Sequence, residues 1–112
     1  MIIKKSQTIT EYFAKGKVFD YPMPDERIGI SYQEHNGRAP AKGWGVNQAC
    51  YELYFIIDGH AEVFIDNKKE IVAKGDLVII YPSQKSYMVA NNLKLITITS
   101  PNWNKEQYKE VK

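Results

Sequence analysis

Ala49-Cys50-Tyr51-Glu52-Leu53-Tyr54-Phe55-Ile56-Ile57-Asp58-Gly59 is the stretch that decides the fold. From Leu53 to Ile57 the side chains are β-branched, aromatic or leucine, and the run ends at Asp58-Gly59, a dipeptide that favours a tight hairpin turn. Working outward, the same grammar repeats. His60–Asp66 reads as a returning strand closed by Asn67-Lys68. Lys69–Ala73 is followed by Gly75-Asp76, and Leu77–Tyr81 is closed by Pro82. Ser86–Ala90 precedes a turn at Asn91-Asn92, and Leu93–Thr99 is the last strand. On the other side, Ile28–His35 is a further strand. Turn signals about every 8–12 residues mark an all-β sandwich or barrel.

The flanks read differently. Residues 1–27 are mixed in pattern, with Thr8-Ile9-Thr10-Glu11 placed as a capping box and Gly16 as a stop for one short helix. Tyr21-Pro22-Met23-Pro24 cannot be a central strand, because each proline removes a ladder donor. It reads as an extended arm on the surface. Residues 101–112 form a tail, with Asn104 and Gln107 placed as cap partners of a short helix. One domain follows: an irregular arm (1–27), a barrel (28–100) and a short tail (101–112).

Leu53–Ile57 and Leu77–Tyr81 are apolar on both faces, so both faces require cover. One fills the barrel. The arm, the tail or a second copy of the chain covers the other, and a homodimer is the economical expectation.

Composition narrows the function. The chain has 112 residues, 44% hydrophobic, 12% aromatic and 25% charged, the profile of a folded globule. Fifteen basic and thirteen acidic residues give a net charge of +2, and the lysines are scattered. Nucleic-acid surfaces need clustered Lys/Arg, so no nucleic-acid partner is expected. The single cysteine, Cys50, forms no intrachain disulfide. No apolar run approaches the roughly 20 residues that span a bilayer. A cytoplasmic location, with no membrane partner, is the expectation.

Two motifs are more specific. Glu52 is followed by six residues and Gly59. Gly75 opens Gly-Asp-Leu-Val-Ile-Ile-Tyr-Pro82, and Asn91 lies nine residues beyond Pro82. Together they resemble the two-part signature of the cupin superfamily, over roughly Ala49–Thr99. Within it, Asn36-Gly37-Arg38, Gly43, Asn47, Cys50–Leu53 and Pro101-Asn102-Trp103 with Glu106-Gln107 are similar to small, single-domain, uncharacterised bacterial members. The resemblance implies a cupin-type β-barrel, that is, a double-stranded β-helix or jelly roll.

The departures from that signature bear on chemistry. Its first two histidines fall at Val46 and Gln48, or at Gly45 and Asn47 if one more residue intervenes. Its third falls at Tyr87, and its second glycine at Gln84. Gly75 and Pro82 are separated by six residues where the signature has five. Only Glu52 survives of the four ligand positions. Divalent transition metals in such sites need several imidazoles beside the carboxylate, so neither a metal nor another cofactor is expected.

The resemblance implies that Glu52 points into the barrel, and alternation then puts Tyr54 on the same face. It also implies that Tyr87 approaches Glu52 from a neighbouring strand. Glu52 and Tyr87 are the candidate catalytic pair, the carboxyl raised in pKa by desolvation. A buried Glu–Tyr hydrogen bond that only holds the barrel together is the structural alternative. Asn47 or Gln48 belongs at the pocket mouth. Arg38 is a candidate to clamp a phosphate or carboxylate, with a solvated loop arginine as the alternative, and Trp44 either stacks on a flat ligand or a sugar or plugs the barrel mouth. Cys50 reads as a small buried hydrophobe, His60 as solvent-facing, and Trp103 as sealing the outer face. His35 is not assigned a side of its strand.

Three functions remain open on this reading. One is a metal-free binding module for a sugar-like or carboxylate ligand. The second is a metal-independent sugar or keto-acid isomerase or epimerase using Glu52 and Tyr87. The third is a structural or interaction dimer with a filled barrel.

Overall fold

The computed structural model describes residues 1–112 as a nearly all-β protein built on one curled antiparallel sheet of nine strands. In chain order these are β1 (Ile9–Phe13), β2 (Gly16–Asp20), β3 (Gly29–Ala39), β4 (Trp44–Asn47), β5 (Tyr51–Ile65), β6 (Lys68–Ala73), β7 (Leu77–Ile80), β8 (Lys85–Ser100) and β9 (Tyr108–Val111). The long strands β5 and β8 pair along almost their whole length. They carry β6 and β7 on one side, and β3 with β2 and β1 on the other. Strand β8 also pairs β4, which in turn pairs the tail strand β9. The all-β barrel expectation holds.

Two expected turns are bends instead. Asp58-Gly59 does not reverse the chain: β5 runs straight through it, with register shifts on either side of Asp58. Asn91-Asn92 likewise lies inside β8. Gly59 has φ 77° and Asn92 has φ 46°, and the two positions face each other across the β5–β8 ladder. A Cβ on Gly59 would run into the Asn92 carbonyl oxygen. Left-handed residues opposite one another kink both strands together, as paired bulges do. This lets one pair of strands serve both halves of the barrel.

The flanks also differ from expectation. Residues expected to form a helix after Thr8 instead make the β1–β2 hairpin, turning at Ala14 with φ 55°. Tertiary pairing with β3 (Lys17↔Glu34 to Asp20↔Ser31) overrides the local capping pattern. Tyr21–Pro24 lies outside every strand, as its prolines require. The tail helix is a single 3-10 turn, Lys105–Gln107, capped by Asn104 Oδ1 accepting from the Gln107 amide at 3.2 Å. Strand β9 follows it and joins the sheet.

The core is an apolar cluster drawn mainly from β5, β7 and β8, with Ile56, Ile80, Leu93 and Leu95 fully enclosed. Alternation puts Gly29, Ser31, Gln33 and His35 of β3 and Leu93, Leu95, Thr97 and Thr99 of β8 on the inner face. The outer face of β5 and β7 stays uncovered. Phe55 and Ile79 are each 45% exposed and Leu77 is 55% exposed, and they lie side by side through Phe55↔Leu77 and Leu53↔Ile79. No helix is long and apolar enough to cross a membrane.

Candidate functional site

The barrel encloses a cavity of about 340 Å³, so side chains do not fill the interior. The size falls at the lower end of the roughly 300–1,000 Å³ usual for small-molecule sites. Its polar centre is Glu52. Glu52 Oε1 accepts hydrogen bonds from Tyr54 Oη at 2.8 Å and from Asn47 Nδ2 at 3.1 Å. Both Glu52 and Tyr54 lie deep in the protein, and the surface they retain belongs to the cavity wall. Desolvation raises the Glu52 pKa, with the two donors opposing it. Desolvation and the neighbouring Glu52 carboxyl push the Tyr54 phenol well above its ordinary value.

A second layer holds Asn47. Its Oδ1 accepts from Gln107 Nε2 at 2.7 Å and from Trp103 Nε1 at 2.9 Å. With its carbonyl oxygen so engaged, the Asn47 amide has to present its NH2 to Glu52. Trp103 therefore does not seal the outer face. Its indole turns inward, edges the cavity, and its backbone amide donates to Thr99 Oγ1 at 3.1 Å.

Of the two alignments left open by the sequence, the structure places Gly45 and Asn47 at the inner positions. Gln48 is exposed and outside the cavity lining. Tyr108 of β9 occupies the space beside Gly45: a Cβ there would lie 2.7 Å from Tyr108 Oη. The tail thus fills the place of the signature's first histidine. Burial raises the Tyr108 pKa first, and Glu110 raises it further. The tail contribution left no signal in the sequence, because which β-edge it would join depends on the closed barrel.

Tyr87 is the main departure. It borders the cavity, but its ring stacks on Phe64 (centroids 4.3 Å apart, 15° between planes) and meets the edge of Trp44 at 4.7 Å. The Arg38 guanidinium sits 4.0 Å above the same ring and donates to the carbonyls of Pro40 (2.9 Å) and Gly43 (2.8 Å). Lys85 lies 4.7 Å over Trp44. Arg38, Trp44 and Tyr87 thus make a separate aromatic–cation stack, and no hydrogen bond joins Tyr87 to Glu52. The reason is register. Ser86, not Tyr87, pairs with Gly45, and a one-residue offset turns every side chain to the other face.

His35, which the sequence does not assign to a side of its strand, faces inward. It is 4% exposed and lines the cavity. Its ring is packed over Gly16, where any Cβ would collide with Nδ1. Its Nε2 meets Gln33 Oε1 at 2.7 Å, and Gln33 Nε2 donates to Ser31 Oγ at 2.8 Å. Burial lowers the His35 pKa to about 4, so the imidazole is neutral near pH 7. Cys50 is fully buried with Sγ 3.3 Å from the Pro101 carbonyl oxygen, and burial raises its pKa. It is inert by both criteria. His60 is exposed.

The donor set does not fit a divalent transition metal. Around Glu52 stand an amide, phenols and a glycine, with no imidazole, and Glu52 Oε1 already accepts from two protein donors. No group of three His, Cys, Asp or Glu side chains converges anywhere in the chain.

No protein-family model matches the chain, and no curated protein does. Solved structures do match. A variant of Streptomyces Pac13 with uridine superposes with a TM-score of 0.90 at 10% identity, over 99% of this chain and 90% of that one. Another structure of Pac13, described as a nucleoside dehydratase, gives 0.85. KdgF from Halomonas sp. gives 0.77 at 13% identity, covering 95% and 97% of the two chains. An RmlC-like cupin from Shewanella frigidimarina gives 0.72 at 16% identity, covering 90% of each.

Proposed function

We propose that this chain, which has the cupin fold, is a metal-free binding protein for a small, neutral, hydroxyl-rich molecule held inside the barrel. The observation that carries the reading is the make-up of the cavity wall. Glu11, Asp20 and Glu52 contribute carboxyl groups, and hydroxyl, amide and phenol groups stand beside them, but no lysine or arginine lines it. A carboxylate or phosphate ligand would enter a space with acidic groups and no counter-charge, at a high desolvation cost. A neutral sugar-like molecule meets acceptors and donors without that penalty. The likeness to a Pac13 variant with uridine makes a nucleoside the natural first probe of this class.

Titration calorimetry with uridine and with uridine 5′-phosphate tests the reading. Measurable uridine binding that Glu52→Gln weakens, with the phosphate at least about tenfold weaker, is the expected result. Equal or tighter binding of the phosphate contradicts the charge argument.

One observation favours a second reading, proton transfer. Glu52 and Tyr54 form a buried carboxyl–phenol pair 2.8 Å apart, a geometry suited to an acid–base couple. Tyr54 thereby replaces Tyr87 in the isomerase alternative. Solvent deuterium incorporated into a bound substrate, and lost in Tyr54→Phe, is its signature.

We also infer that a second copy of the chain covers the outer face of β5 and β7. The arm and the tail join sheet edges and leave Phe55, Leu77 and Ile79 exposed. Contiguous exposed apolar surface of this kind marks an association site.

A further inference from the structure

One rung along the barrel from Glu52, four inner-facing side chains stand in line across four strands. Asp20 of β2 pairs with Ser31 of β3, Ser31 with Thr97 of β8, and Thr97 with Tyr54 of β5. All four line the cavity. Cross-strand partners hold their Cβ atoms about 4.5–5.5 Å apart on one face, so the row reads carboxyl, hydroxyl, hydroxyl, phenol.

The hydrogen bonding of this row is incomplete in a directed way. Thr97 Oγ1 is the buried side-chain polar atom without a partner in the protein, and Thr97 is only 4% exposed. Buried hydroxyls are normally satisfied, so this one is placed for something that enters the cavity. Ser31 Oγ already accepts from Gln33 Nε2 at 2.8 Å, and Gln33 is oriented by His35 through the 2.7 Å contact to its Oε1. The Ser31 proton is left to point at the cavity. At the end of the row, desolvation and Glu11 raise the Asp20 pKa, and no hydrogen bond offsets them.

We propose that Asp20, Ser31 and Thr97 form a diol subsite, and that the ligand carries two hydroxyls on adjacent carbons of a small sugar ring. A carboxylate is an acceptor with two oxygens, matched to two neighbouring O–H donors. The ligand diol donates to Asp20 and accepts from Ser31, and Thr97 takes the next oxygen along the ring. Glu52, Tyr54 and Asn47 then face the other end of the molecule. The His35–Gln33 pair touches no ligand atom in this scheme and acts as a positioning unit for Ser31. This subsite rests on the neutral-ligand reading and specifies the ligand class.

The test compares the ribonucleoside probe with its 2′-deoxy counterpart by titration calorimetry on the whole chain. A hydrogen bond to a charged group is worth about tenfold or more in affinity. The wild-type protein is expected to prefer the ribonucleoside by at least about tenfold, and the preference shrinks to within about twofold in Asp20→Asn. Thr97→Val weakens both probes without lowering the melting temperature, because valine removes an unpartnered hydroxyl from a strand. Equal affinity of the wild type for the two probes overturns the diol subsite while leaving the neutral-ligand reading intact. Failure of both probes to bind overturns both readings. The wild-type comparison needs no variant, so a variant that does not fold leaves the test in place.

Discussion

Protonation of His35 should destabilise the protein from the acid side, and the size follows from where the imidazole lies. Its ring is enclosed between Gly16 and the cavity wall, with Nε2 committed to Gln33. Burial lowers its pKa from 6.5 to about 4. Between those values the unfolded chain binds a proton that the folded chain refuses, so stability rises with pH in this window. The contribution is complete above pH 6.5 and is lost as pH falls through 6.5 toward 4. A difference of about 2.5 in pKa, at about 1.4 kcal/mol each, gives a loss of up to about 3 kcal/mol. Against a typical domain stability of about 5–15 kcal/mol, that is a large fraction. The raised pKa values of Asp20 and Glu52 act in the opposite sense, so a wild-type curve alone is a composite. The assay is therefore urea unfolding of wild type and His35→Gln between pH 4 and pH 7.5. Glutamine lowers the whole curve through poorer packing, and the slope is the readout. Wild type should lose about 3 kcal/mol relative to the variant on acidification. Parallel curves, or an imidazole NMR titration of His35 centred near 6.5, refute the reasoning.

Three further outcomes follow from the same geometry. Burial raises the Glu52 pKa, so its favourable contribution is complete below the ordinary carboxylate range and is lost as pH rises through the folded value. Glu52→Gln should gain on wild type in urea unfolding as pH rises from about 4.5, and a difference that shrinks with pH contradicts this. Gly45→Ala drives a methyl to 2.7 Å from Tyr108 Oη and should cost about 1–3 kcal/mol as overpacking. That lowers the melting temperature by roughly 4 °C or more, whereas an unchanged melt would mean Tyr108 does not rest on Gly45. Phe55→Lys with Ile79→Lys places charges on the uncovered sheet face, and light scattering should report a dimer for wild type and a monomer for the double variant. A monomeric wild type disproves the dimer.

How much of this was legible in the sequence depends on the range of the interaction involved. The β class follows from alternation and turn chemistry, which act over a few residues, and once the resemblance sets Glu52 inward, alternation puts Tyr54 on the same face. The missing imidazoles are equally local, since residue identity alone removes the ligands. Local rules failed where a choice depended on a distant partner. Asp58-Gly59 and Asn91-Asn92 are turn signals by composition, but they became bends because each lies opposite the other in a long ladder. The Thr8–Gly16 segment carries helix caps and became a hairpin because the edge of β3 was available.

The site shows the same division. Which residues are acidic, aromatic or hydroxylic was set by the chain, and with that came the absence of a transition-metal donor set around Glu52. Which of them meet was decided by register and closure. The β4–β8 register set the Tyr87 ring onto Phe64 instead of beside Glu52, and the tail, joining β4, brought Trp103, Gln107 and Tyr108 to the Glu52 end. Asp20, Ser31 and Thr97, from three separate strands, came into one row only when the sheet curled. Strand period is a property of neighbouring residues, whereas strand register is fixed by the summed packing of every rung, and no segment carries that information alone.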